Sequence, residues 1–209
     1  MRILYAHGFA SGPLSKKGVA VRDHLAARGL PVELLDLRVP TPTGLRLSSM
    51  IEVVRAAAGE RTLAIGSSLG GLAVAHTAVI DPRIVATILL APALRLAERW
   101  RRRMGEADFA RWEREGTFRY DDHTTPGGKL DVDFGFIQDA ARVDVSWPEV
   151  SVPTTIIHGT RDQTVDPELS RTYAETRHNV RLVEVEDDHQ LLRSLDVICS
   201  ELDRSLTDL

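Results

Sequence analysis

Residues 62–80 limit the possible folds more than any other part of the chain. The apolar run Thr62-Leu63-Ala64-Ile65 passes into Gly66-Ser67-Ser68-Leu69-Gly70-Gly71 and then, with no spacer, into residues 69–80, whose apolar spacing suits a buried helix. A strand that gives way to a helix this abruptly must turn so sharply that neighbouring backbones touch. Glycine two places before and two places after Ser68 removes the Cβ atoms that would collide there. The same turn projects the Ser68 hydroxyl from the end of the strand, at a helix N-terminus where amide donors and the helix dipole favour negative charge. Ser67 is the variable residue of this G-x-S-x-G pattern and is expected to fill space or hydrogen-bond locally.

The rest of the chain repeats the strand-then-helix rhythm. Short apolar runs at 2–6, 31–37, 62–66, 84–90, 153–158 and 180–185 alternate with helical spacing at 15–28, 48–58, 69–80, 166–177 and 190–205. That alternation predicts an α/β fold: a mainly parallel sheet of about six strands with helices on both faces. Gly29 and Pro31 stop the first helix, and Asp166-Pro167 supplies an N-cap and a first-turn proline. Residues 95–147 break the rhythm and read as a cap-like insertion, with short helices at 95–104 and 106–115 and a turn at 124–128. Within it, Trp100, Phe109 and Trp112 recur at spacings that allow one apolar helical face. At 209 residues and 43% hydrophobic, the chain is expected to form a single domain, 1–209, around one core.

Charge and cysteine usage narrow the partners. A formal charge of −4 provides no basic field for nucleic acid or anionic lipid, so a small molecule is the expected partner. One cysteine, Cys199, lies in an apolar run and is expected to fill core in a reducing, cytoplasmic compartment. No apolar run is long enough to span a bilayer, and with His7-Gly8 reached so soon after Met1 no signal peptide is expected in the opening residues.

A serine alone is a weak nucleophile and needs a histidine base, itself oriented by a carboxylate. On sheets that carry such a serine turn, the partners follow in the order serine, acid, histidine. Of the seven histidines, His7 and His24 precede Ser68 and His76 lies on the helix that Ser68 begins. His123 falls in the insertion, His158 ends a strand and His178 ends a helix, whereas His189 follows the last strand, as the base should. Asp162, shortly after the preceding strand, is the matching acid, because loops at the carboxyl ends of neighbouring parallel strands meet above the sheet. Asp166 is the alternative acid, although its position suits a helix N-cap. Asp187 and Asp188 adjoin His189 in sequence and are expected to be solvated loop charges. The tetrahedral oxygen of an acyl transfer needs amide donors, here the backbones of Leu69 and, after the first strand, Phe9; Gly8 lets that loop approach and His7 is expected to brace it.

Together these motifs resemble the α/β-hydrolase superfamily. The opening Leu4-Tyr5-Ala6-His7-Gly8-Phe9-Ala10-Ser11-Gly12-Pro13-Leu14-Ser15-Lys16-Lys17 resembles small bacterial esterases of the YqiA type. Compact members of that type lack a large cap, so residues 95–147 stand outside the resemblance. It implies hydrolysis of a small carboxylic ester through an acyl-Ser68 intermediate, with His189 as base, Asp162 as its orienter and no metal or organic cofactor. Two alternatives stay open: an acyl thioesterase, for which Arg99, Arg101, Arg102 and Arg103 could meet an anionic carrier, and a non-catalytic binding protein on the same scaffold. Asp121-Asp122-His123 is not expected to hold a metal, since sequence-adjacent ligands converge poorly.

Overall fold

Runs that are apolar at every position, rather than at alternate ones, belong to strands covered on both faces. The computed structural model, which describes residues 1–121 and 128–209, contains such a sheet. In chain order its strands are β1 (Arg2–Ala6), β2 (Val32–Leu35), β3 (Thr62–Ser67) and β4 (Ile84–Leu90); an antiparallel hairpin of β5 (Thr117–Asp121) and β6 (Lys129–Asp133) stands apart; β7 (Thr154–Gly159) and β8 (Val180–Val185) complete the sheet. The order is β2-β1-β3-β4-β7-β8, all parallel. The α/β-hydrolase fold expected from the sequence is therefore present. Winding reverses between β1 and β3, which opens a crevice at their carboxyl ends, where β3 meets Ser68.

Each strand divides its side chains between two layers. Ile3, Tyr5, Leu63, Ile65, Ile88, Leu90 and Ile157 pack with Val21 and Leu25 of α1 (Lys16–Ala26) and with Ile198 and Leu202 of α8 (Leu195–Thr207). Leu4, Ala6, Ala64, Leu89 and Ile156 face α2 (Leu47–Ala57) and α3 (Leu69–Ile80) instead. Burying each large aliphatic side chain contributes about 1.5–3 kcal/mol, so the two layers dominate the driving force.

The expected β2 was longer, and the last helix begins at Leu195 rather than Gln190. The larger correction concerns residues 95–147. The expected helices appear as α4 (Leu96–Met104) and α5 (Glu106–Glu115), but the hairpin and α6 (Gly135–Val143) follow, in a stretch where the sequence marks only the turn at 124–128. Of the expected turn, 124–127 lies outside the described residues, as do Asp122 and His123. This excursion has its own aromatic centre. Trp112, 1% exposed, donates Nε1–H to the Val132 carbonyl at 2.9 Å and meets the rings of Trp100, Phe109, Phe118 and Phe134. The shared apolar face expected for Trp100, Phe109 and Trp112 is thus uneven, since only Trp112 is buried throughout.

Two carboxylates fasten the excursion to the main body. Asp139 accepts from the Ser48 amide at 2.9 Å and its hydroxyl at 2.8 Å, at the start of α2. Asp144 accepts from the Leu96 amide at 2.9 Å and lies 3.1 Å from His76 on α3. Following α7 (Pro167–Glu175) and β8, α8 closes the chain; no helix of the described residues is long and apolar enough to cross a membrane.

Candidate active site

β3 ends at Ser67 and α3 begins at Leu69, so Ser68 alone makes the turn. Its φ of 53° and ψ of −114° lie where a residue with a Cβ is disfavoured by roughly 1–3 kcal/mol. The surroundings hold it there. Ser68 N–H donates to the Leu90 carbonyl at 2.8 Å, and its own carbonyl accepts from Ala93 at 3.0 Å and Leu72 at 3.1 Å. A Cβ on Gly66 would stand 2.4 Å from the Gly70 carbonyl oxygen, and one on Gly70 would stand 2.3 Å from that of Ala6. Both glycines are therefore demanded by backbone contact.

His189 and Asp162 reach Ser68 from the loops after β8 and β7. His189 Nε2 lies 3.1 Å from Ser68 Oγ, and His189 Nδ1 lies 2.6 Å from Asp162 Oδ2. Nδ1–H donates to the carboxylate, leaving Nε2 to accept the Ser68 hydroxyl proton. Asp162 Oδ1 is occupied by the amides of Thr164 at 2.7 Å and Val165 at 2.8 Å. Burial raises the Asp162 carboxyl, but hydrogen bonds from His158 and His189, the charge of His189 and the Val165 amide outweigh it and hold the group well below the usual carboxylate range.

The neighbouring residues sort themselves by their partners. Asp166 accepts from the Glu168 amide at 3.0 Å as the N-cap of α7 and does not meet His189. His158, fully buried, lies beneath the acid: its Nε2 faces both Asp162 Oδ2 and the Val165 carbonyl at 3.1 Å, so that nitrogen carries the proton and Nδ1 accepts from Ser170 Oγ at 2.7 Å. Asp188 is exposed, as expected, whereas Asp187 is not the solvated charge foreseen. It is 2% exposed and accepts from the Asp188 amide at 2.8 Å and from the Arg193 amide and Ser194 hydroxyl at 2.9 Å each. Those bonds hold residues 188–194 in turns, which is why α8 starts late.

The loop after β1 completes the cluster. A Cβ on Gly8 would come 3.3 Å from Ser68 Cβ, so this loop runs against the serine. His7 Nε2 accepts from the Leu37 amide at 3.0 Å, and Nδ1–H donates to the Gly8 carbonyl at 2.8 Å. Burial pulls the His7 imidazole below its ordinary value, so it braces the loop uncharged. Leu69 begins α3, and its N–H is among those that a helix leaves without an internal partner. Phe9 turns its ring to the excursion: Trp100 at 5.2 Å and Tyr120 at 4.9 Å meet it edge-on, and Phe136 stacks at 5.9 Å. Arg99 Nη2 donates to the Thr164 carbonyl at 2.6 Å, Arg101 forks onto Glu106, and Arg102 and Arg103 are exposed.

Backbone strain follows the same map. Of the five non-glycine residues at positive φ among the described residues, Ala10, Ser68 and Leu191, at 49°, 53° and 54°, lie one on each of three loops that converge here, whereas Ala91 and Arg95, at 45° and 57°, follow β4. Sequence reasoning missed Lys17, whose ammonium donates to the His189 carbonyl at 3.3 Å; two lysines opening a helix were the available signal. Among the described residues, no three His, Cys, Asp or Glu side chains are grouped to hold a metal ion.

Solved structures with this architecture include the α/β hydrolase domain-containing protein 10 from mouse, at 20% identity and a TM-score of 0.82 over 99% of this chain and 89% of that one. Est1E from Butyrivibrio proteoclasticus is 18% identical, with a TM-score of 0.69 over 99% and 86% of the two chains. The esterase domain of a Rhodothermus marinus protein is 21% identical, with a TM-score of 0.65 over 96% and 84%. At these identities the likeness is one of fold. No curated protein matches the chain. The profile of uncharacterised protein family UPF0227 matches residues 2–199, and the chain belongs to that family.

Proposed function

We propose that the chain is a serine hydrolase that cleaves a small carboxylic ester through an acyl-Ser68 intermediate. The observation that carries this reading is the continuous path from Ser68 Oγ through His189 to Asp162, at 3.1 Å and 2.6 Å. His189 Nε2 takes the hydroxyl proton as Oγ attacks the carbonyl carbon, and the carbonyl π electrons move onto oxygen. The amides of Leu69 and Phe9 stabilise that oxyanion. Collapse breaks the ester C–O bond, and the His189 imidazolium protonates the departing alcohol. Water, deprotonated by the same nitrogen, then releases the acid and restores Ser68. Asp162 keeps Nδ1 protonated and stabilises the imidazolium throughout.

The chemistry needs no cofactor, and two of the similar folds belong to proteins described as esterases or named Est1E. The excursion serves as a cap over this site, with the part-buried Trp100 and Tyr120 against Phe9 supplying an apolar wall for the acyl group. A fluorophosphonate probe tests the reading. The unaltered chain should be labelled once, and Ser68→Ala should abolish labelling while the protein stays folded. Stoichiometric labelling that persists in Ser68→Ala would remove Ser68 from its role.

A further inference from the structure

Lys17 breaks two local rules. It lies in the first turn of α1, where no acidic residue accompanies it and the helix dipole opposes a cation. It is also only 8% exposed, a placement that removes an ammonium from water. Burial brings that ammonium down to about 8, against the upward pull of Asp162, Asp188 and Asp187. Local violations of this kind gather where a fold serves function rather than stability.

The geometry shows what the side chain does there. A Cβ on Gly18 would lie 2.9 Å from Tyr5 Cε1, so only glycine lets the start of α1 press so closely on β1. That approach delivers Lys17 Nζ to the His189 carbonyl oxygen at 3.3 Å. Asp187 organises the same loop, but it binds the amides of residues 188 and 193 and the Ser194 hydroxyl. Among the described residues, Lys17 makes the one hydrogen bond to the His189 main chain. Two residues on, Leu191 is held at φ 54°, so the loop is under strain next to the imidazole.

We propose that Lys17 is a positioning residue: reaching from α1 to the His189 carbonyl, it holds the loop of the base in register with Ser68. The proposal rests on the serine-hydrolase reading above. α1 follows directly from the loop that carries Phe9, so Lys17 ties the proposed oxyanion donor and the proposed base to one short segment. An imidazole displaced by about 1 Å loses rate on the order of 10²-fold without any loss of substrate contacts.

Lys17→Met keeps the aliphatic stem and removes the donor and its charge. In the full chain it should lower kcat and the fluorophosphonate labelling rate about 10- to 100-fold and leave KM within about twofold. Its melting temperature should equal or exceed that of the unaltered chain, because a buried charge has gone. A merely structural lysine gives the opposite result: a lower melting temperature and activity lost in proportion to unfolded protein. That outcome, or an unchanged kcat, overturns the positioning role while leaving the serine-hydrolase reading intact. If the unaltered chain is itself never labelled, the reading fails first and this proposal falls with it.

Discussion

Replacing Asp162 with Asn tests the proposed site through hydrogen-bond direction alone. Oδ1 of Asp162 accepts two amides, from Thr164 and Val165, and Oδ2 accepts from His189 Nδ1 and His158 Nε2. An asparagine can keep its oxygen toward only one of these pairs. Turned the other way, its NH2 group would face the Thr164 and Val165 amides and leave the buried Val165 amide unsatisfied at about 1–3 kcal/mol, so the oxygen stays with Thr164 and Val165. The NH2 group then faces His189 Nδ1, which must become an acceptor. The imidazole proton moves to Nε2 and points at Ser68, so the base can no longer take the hydroxyl proton. Loss of kcat on the order of 10⁴ is the expected result, the magnitude found where a triad aspartate is amidated. The assay is kcat on a short acyl p-nitrophenyl ester, with thermal melting as a control for folding. Asp166→Asn is the paired control and should keep kcat, because asparagine caps a helix as well as aspartate does. A loss below tenfold in folded Asp162→Asn would falsify the tautomer argument, and a crippled Asp166→Asn would move the acid to that residue.

Trp100 and Trp112 of the excursion should behave differently. Trp100→Ala should alter the kcat/KM ranking across acyl lengths more than turnover of an acetyl ester, and a uniform loss would refute the acyl wall; Trp112→Ala, which removes a fully buried ring and its bond to Val132, should instead destabilise by about 3–5 kcal/mol in thermal or urea melts. Gly70→Ala forces a Cβ to within 2.3 Å of the Ala6 carbonyl oxygen and 2.5 Å of that of His7, and should lower stability by about 3 kcal/mol or more; a smaller shift in the urea midpoint would mean that α3 can slide. Lys17 binds its proton less tightly when folded, at about 8 against an ordinary 10.5, so its burial opposes folding by about 3 kcal/mol below pH 8, and this opposition fades as pH rises to about 10.5. Lys17→Met should therefore be the more stable protein at pH 7 and lose that advantage by about pH 10.5; an advantage constant with pH would refute the assignment.

What could be read from sequence depended on how local each cause is. The turn at Ser68 is legible within nine residues as a pattern, and Gly66 is demanded by Gly70 and Gly71 inside that stretch, although the contacts that demand Gly70 come from Ala6 and His7 at the end of β1. His189 and Asp162 followed from chain order, since each loop after a parallel strand emerges on the same side. Asp187 was misread because its partners at 193 and 194 become neighbours only once the loop has turned. Its sequence neighbourhood looks like any charged loop. The hairpin was legible in part: Thr117-Phe118-Arg119-Tyr120-Asp121 and Lys129-Leu130-Asp131-Val132-Asp133 both alternate, with Leu130 and Val132 inward, but five residues are few against a background of Arg and Glu. Lys17 reaches a partner 172 positions away, a contact that no local pattern encodes.

The direct pairing of β4 with β7, Leu90 opposite Ile157 and Thr87 opposite Thr154, has a further consequence. The sheet closes across the excursion as though the intervening chain were absent, so the register of the central strands does not depend on the excursion's length. For an unstructured connection the entropy of bringing those strands together grows only with the logarithm of its length, about 0.6 kcal/mol for each doubling. Residues of the excursion can therefore change in number at little entropic cost to closure, provided that Phe9, Thr43, Arg46, Ser48, His76 and Thr164 find new partners for the contacts they now make and that α2 keeps a helix packed against it where α6 now lies. The strand ends that carry Ser68 and Asp162 are thus set by the sheet, and variation in the excursion can act beside them without changing their register.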